Sequence, residues 1–104
     1  MTPTTSTASV ILYDLPKSPY RLAKPLHVDV ETDQAGFVVS EPQTGVFAYH
    51  RELGPALDAF LKLFLDNFEF LQQNEQRLAP GLGEELKVFR RILIPRDAHA
   101  DTRL

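Results

Sequence analysis

The sequence predicts an α+β domain: an antiparallel three-stranded meander followed by a long apolar helix and a second, shorter helix. Three observations predict it. Leu26-His27-Val28-Asp29-Val30-Glu31 and Gly36-Phe37-Val38-Val39-Ser40 are strand-length segments joined by a short polar turn, and the first alternates strictly between apolar and polar. Val46-Phe47-Ala48-Tyr49 supplies a third strand after a second turn. The chain then changes to helical spacing through Leu71.

Taken in order, the Thr/Ser-rich start reads as loose, and Val10-Ile11-Leu12-Tyr13 is long enough for a short strand or an arm before Pro16 and Pro19 stop regular structure. Residues 1–19 are therefore expected to be a loose N-terminal arm, residues 20–95 one α+β domain and residues 96–104 a flexible tail. Pro25 suits the start of the first main strand, where Leu26, Val28 and Val30 share one face and His27, Asp29 and Glu31 the other. Thr32-Asp33-Gln34-Ala35-Gly36 reads as a hairpin turn closed by a glycine that tolerates positive φ. Pro42-Gln43-Thr44-Gly45 reverses the chain again.

The first helix is expected to begin near Glu52 with Pro55 in its first turn, where a missing N–H costs little. Its apolar residues from Ala56 to Leu71 cover roughly two-thirds of the circumference, more than a one-sided stripe. One small sheet does not cover so wide a surface, so Leu57, Phe60, Leu61, Phe64, Leu65 and Phe68 are read as an oligomer interface. The second helix follows Leu78-Ala79-Pro80-Gly81, spaces Leu82, Leu86, Phe89 and Leu93 at helical intervals, and stops at Pro95.

Composition bounds the function. The chain has 104 residues, 43% apolar and 24% charged, which fits one small globular domain. With no cysteine, disulfides, thiolate metal sites and cysteine nucleophiles are excluded. No apolar run reaches the roughly 20 residues that span a bilayer, and no basic segment precedes an apolar start, so a cytoplasmic protein without a secretory signal is expected. The net charge is -3, but between His27 and Glu85 acidic side chains heavily outnumber Arg51, Lys62 and Arg77. Such a body repels phosphate backbones. Lys87, Arg90, Arg91 and Arg96 form a basic cluster near the end, the candidate nucleic-acid contact.

Catalytic constellations are weak. His27, Asp29 and Glu31 alternate on one strand face in a pattern that suits part of a metal site, but no second cluster supplies the remaining ligands, and a solvated polar stripe explains them better. His50 beside Arg51 reads as a solvated connection rather than a general base with a phosphate cation. Ser40 has no partner at nucleophile spacing. Neither catalytic residue, metal nor cofactor is expected.

Asp33-Gln34-Ala35-Gly36-Phe37-Val38-Val39-Ser40-Glu41-Pro42, then Val46-Phe47-Ala48-Tyr49 and Ala56-Leu57-Asp58-Ala59-Phe60, resembles the bacterial HicB-type antitoxin family over roughly residues 21–75. The resemblance implies a partial, degenerate ribonuclease-H-like fold that dimerises and covers a small basic toxin. Two departures stand out: His50-Arg51-Glu52 replaces the family's Gly-x-Thr ahead of the helix, and the roughly thirty residues after the first helix are too few for a DNA-binding domain. The expected function is a non-enzymatic interaction protein, a homodimer or higher homo-oligomer, with Asp29, Glu31 and Asp33 as acidic partner contacts. The alternatives are a nucleic-acid-binding regulator using the basic cluster and a stand-alone ligand-binding module with a pocket between sheet and first helix.

Overall fold

The structure, a computed structural model, describes residues 6–16 and 18–96. It is an α+β fold in two layers. The main sheet contains β1 (Ser6–Leu12), β3 (Leu26–Thr32), β4 (Phe37–Ser40) and β5 (Phe47–His50) in the order β1-β3-β4-β5, with every neighbouring pair antiparallel. A second, two-stranded sheet pairs β2 (Tyr20–Leu22) with β6 (Leu93–Pro95). Helices α1 (Leu53–Gln73) and α2 (Pro80–Ile92) are linked through a 3-10 turn at Glu75–Arg77.

Alternation explains the strands. Leu26, Val28 and Val30 of β3 are buried, with Val39 and Ala48 beside them on β4 and β5. Asp33 closes the β3–β4 turn: its Oδ1 accepts from the Ala35 N–H at 2.7 Å and the Gly36 N–H at 3.1 Å. Gly36 takes φ +152°, and a Cβ there would lie 2.6 Å from the His50 carbonyl oxygen. Only glycine fits without displacing the backbone at the end of β5.

Pro55 lies in the first turn of α1 as expected, and Pro80 opens α2 where its missing N–H has no helical partner to lose. Asn74 ends α1 by donating its side-chain amide to the Phe70 carbonyl at 2.8 Å. The buried residues of α1 are Ala56, Phe60, Phe64, Phe68 and Leu71, a single stripe. Phe64 meets Phe89 of α2 at a tilt with centroids 4.9 Å apart, Phe68 stacks on the same ring at 5.7 Å, and Tyr20 meets Phe68 edge-on at 5.1 Å. This aromatic row joins α1 to both α2 and β2.

Several expectations need correction. Phe60, Phe64 and Phe68 fill the core of a single chain and offer no surface to a second subunit, while Leu57, Leu61 and Leu65 are only half-buried beside it. Leu63 and Phe70 of the same helix are exposed in the single chain. The main sheet has four strands, since Ser6–Leu12 pairs with β3 along its whole length instead of hanging loose. The segment before Tyr20 is also held: Arg96 donates to the carbonyls of Ser18 and Leu15, at 2.8 Å each, and pairs with Asp14 at 3.2 Å. The second helix stops at Ile92, and Leu93 enters a strand. The expected flexible tail lies, apart from Arg96, outside the described residues.

Candidate interaction surface

Helix α1 packs against β4 and β5 on one side of the main sheet while α2 packs on α1 and β6, and the other side of the main sheet carries exposed side chains. Register places Glu31, Val38 and Tyr49 in one row across β3, β4 and β5, and Asp29, Ser40 and Phe47 in the next. His27 and Ile11 form a third row on β3 and β1. Phe47 is 64% exposed and Tyr49 51%, while Ala48 between them is buried. The aromatics of β5 therefore face outward, and the smallest residue of the strand packs inward against α1. Sequence reading missed this pair because hydrophobicity alone would turn Phe47 and Tyr49 toward the core; the register Val39↔Ala48 decides otherwise.

The loop beside these aromatics is held by Glu41, the one buried charged side chain among the described residues at 1% exposure. Its Oε2 accepts from the Gln43 N–H at 2.8 Å, and its Oε1 accepts from the N–H and hydroxyl of Thr44, both at 2.7 Å. Three donors replace the water a carboxylate loses on burial. The Glu41 N–H donates to the Val46 carbonyl at 2.9 Å, and Gly45, at φ +74°, donates back to the Glu41 carbonyl at 2.9 Å. Glu-Pro-x-Thr-Gly was the available signal, though nothing in it says that the carboxylate turns inward. At the other end of β5, the Tyr49 hydroxyl donates to the Ala35 carbonyl at 2.6 Å and fixes the ring against the β3–β4 turn.

The expected acidic contacts are thus separated in role. Asp29 and Glu31 lie on the outward face, whereas Asp33 spends one oxygen on its turn. Among the described residues no group of three His, Asp or Glu side chains is placed to share a metal ion, so His27, Asp29 and Glu31 do not converge. His50 accepts the Glu52 N–H on Nδ1 at 3.0 Å, which gives that nitrogen a local structural role just ahead of α1.

The basic cluster is largely paired within the chain. Arg90 makes a two-pronged contact with Glu75 at 2.8 Å on each nitrogen, Lys87 pairs with Glu84 at 3.1 Å, and Arg96 holds Asp14. The Arg90 hydrogen bonds lower the Glu75 pKa below its ordinary 4.5, and Glu75 raises that of Arg90. Arg91 alone of the four has no ion pair among the described residues. This arrangement leaves little unpaired charge to attract phosphate. Elsewhere, burial and the nearby Glu69 carboxylate raise the Tyr20 pKa above its ordinary 10.0.

Open clefts occur away from the sheet–helix interface. One of about 400 Å³ lies between the segment before β2 and α1, lined by Leu15, Pro16, Pro19, Leu61 and Leu65 with Asp58 at its edge. Another of about 360 Å³ borders α2 near Leu78, Leu86 and Arg90. Ser18 also lines the first cleft, where its hydroxyl oxygen accepts the Tyr20 N–H at 3.0 Å. Among the described residues, no helix is long and apolar enough to cross a membrane. No protein-family model, curated protein or solved structure matches the chain.

Proposed function

We propose that this chain is a small, non-enzymatic, cytoplasmic interaction protein, antitoxin-like in the manner of the HicB family, that works as a homo-oligomer and binds a basic protein through its open sheet face. The observation that carries this reading is the outward row pair, where Asp29 and Glu31 stand beside Val38, Phe47 and Tyr49 on an uncovered sheet. Aromatic groups supply contact area and are enriched at the centres of interfaces, and flanking acids steer a cationic partner and fix its orientation. Asp33 contributes by holding the turn that follows β3. The antitoxin analogy rests on the motifs quoted from the sequence and on this charge pattern.

The test is affinity capture from native lysate with the wild-type chain, an Asp29→Asn/Glu31→Gln variant and a Phe47→Ala variant. A small basic protein retained by the wild type, weakened by both variants and released by moderate salt supports the reading. Equal retention by all three, or capture of no basic protein, overturns it.

A further inference from the structure

One long strand edge of the main sheet has no neighbour among the described residues. β1 pairs on one side with β3, in unbroken register from Ser6↔Thr32 to Leu12↔Leu26. Every second residue of such an edge turns its N–H and C=O away from the paired strand, a row of groups that another strand satisfies. Edges that remain in water are ordinarily short or guarded by charge, proline or a bulge. The seven residues of β1, Ser-Thr-Ala-Ser-Val-Ile-Leu, have none of these guards. The opposite edge, β5, has four residues and lies under α1. β1 is also thinly covered, with Ala8 and Ile11 exposed and Val10 and Leu12 half-buried.

We propose that β1 pairs antiparallel with β1 of a second copy about a twofold axis at Ser9, joining two four-stranded sheets into one of eight strands. This rests on the homo-oligomeric part of the function proposed above and moves the contact from the helix to the strand edge. A twofold antiparallel pairing places one residue opposite its own copy. Centring it on Ser9 keeps all seven residues paired and sets Ala8 against the larger Val10 of the second copy. The absence of charge along β1 selects a second copy of this chain over a basic partner, because nothing on the strand repels its own image. The acids of the body do not oppose the contact: the two β3 strands would lie three strand spacings apart, about 14 Å, beyond the screening length of about 8 Å at physiological ionic strength. The contact consumes both β1 edges and closes on itself.

The chain has no cysteine, so Ser9→Cys in the full-length protein introduces a single thiol. Directly opposed residues of an antiparallel pair have Cα atoms about 4.5–5.5 Å apart, within disulfide reach. Mild oxidation is expected to convert most of Ser9→Cys to a linked dimer, while Thr7→Cys, whose copies would be about 14 Å apart, stays largely unlinked. Light scattering of the wild type is expected to give twice the chain mass. Ser9→Lys sets two ammonium groups face to face and should weaken the dimer about tenfold or more. Within one chain that lysine lies across from Asp29, so circular dichroism should report an unchanged fold. A monomeric wild type overturns both this proposal and the homo-oligomer reading. A dimer indifferent to Ser9→Lys and unlinked through Ser9→Cys overturns the edge pairing and leaves the homo-oligomer reading standing.

Discussion

The two faces of the main sheet are built by the same strands and do opposite things. On the inner face Val28, Val30, Val39 and Ala48 are closed over by α1, whose phenylalanines interlock with Phe89. On the outer face the alternate residues of those strands, Asp29, Glu31, Val38, Phe47 and Tyr49, meet water. The difference teaches that aromatic content does not locate the core of this chain. Phe64 and Phe47 are the same residue type, yet one stabilises the fold and the other is available for recognition.

The largest expected effect comes from the inner face. Phe64→Ala empties the contact between α1 and α2 and should cost about 3–5 kcal/mol, enough to unfold much of a domain this small. Urea denaturation followed by circular dichroism measures it, and a loss below about 1 kcal/mol would break the contrast between the faces. Next is the loop that positions Phe47. Glu41→Ala leaves the Gln43 and Thr44 N–H groups without their acceptor and should cost about 1.5–3 kcal/mol by the same measurement.

These two sites differ in how far sequence reveals them. The alternation of β3, the Asp33–Gly36 turn and the prolines opening α1 and α2 were legible because each is a local signal with a local cause. The pairing of β2 with β6 was not. Each strand has three residues, too few to show alternation, and their pairing Leu22↔Leu93 joins opposite ends of the chain. Pro95 reads as a stop for a helix, while the structure uses it as the last residue of an edge strand. Of the candidate surface, Asp29 and Glu31 were legible as the polar side of an alternating strand. The outward turn of Phe47 and the burial of Glu41 were not, because register and backbone donors decide them.

On the outer face the expected stability change is small. Phe47→Ala should shift unfolding by less than about 0.5 kcal/mol, since its ring is mostly in water. Thermal melts check this beside the capture experiment. A loss of binding without a loss of stability would sharpen the contrast with Phe64, whereas a loss of several kcal/mol would place Phe47 in the core's service.

The smallest effect concerns charge spent inside the chain rather than displayed. Glu75 accepts both Arg90 hydrogen bonds, and its folded pKa lies below the ordinary 4.5. For a carboxylate lowered in this way the folded state binds the proton less tightly than the unfolded chain. Its contribution to stability is therefore complete above about pH 5 and is lost as pH falls through the folded value. The melting temperatures of wild type and Glu75→Gln should differ by a constant amount near neutral pH and converge on acidification. Because the pair is exposed, the same difference should shrink in high salt. A gap that persists in acid would mean that Glu75 acts through packing, and Arg90 would then return to the cations available for an outside partner.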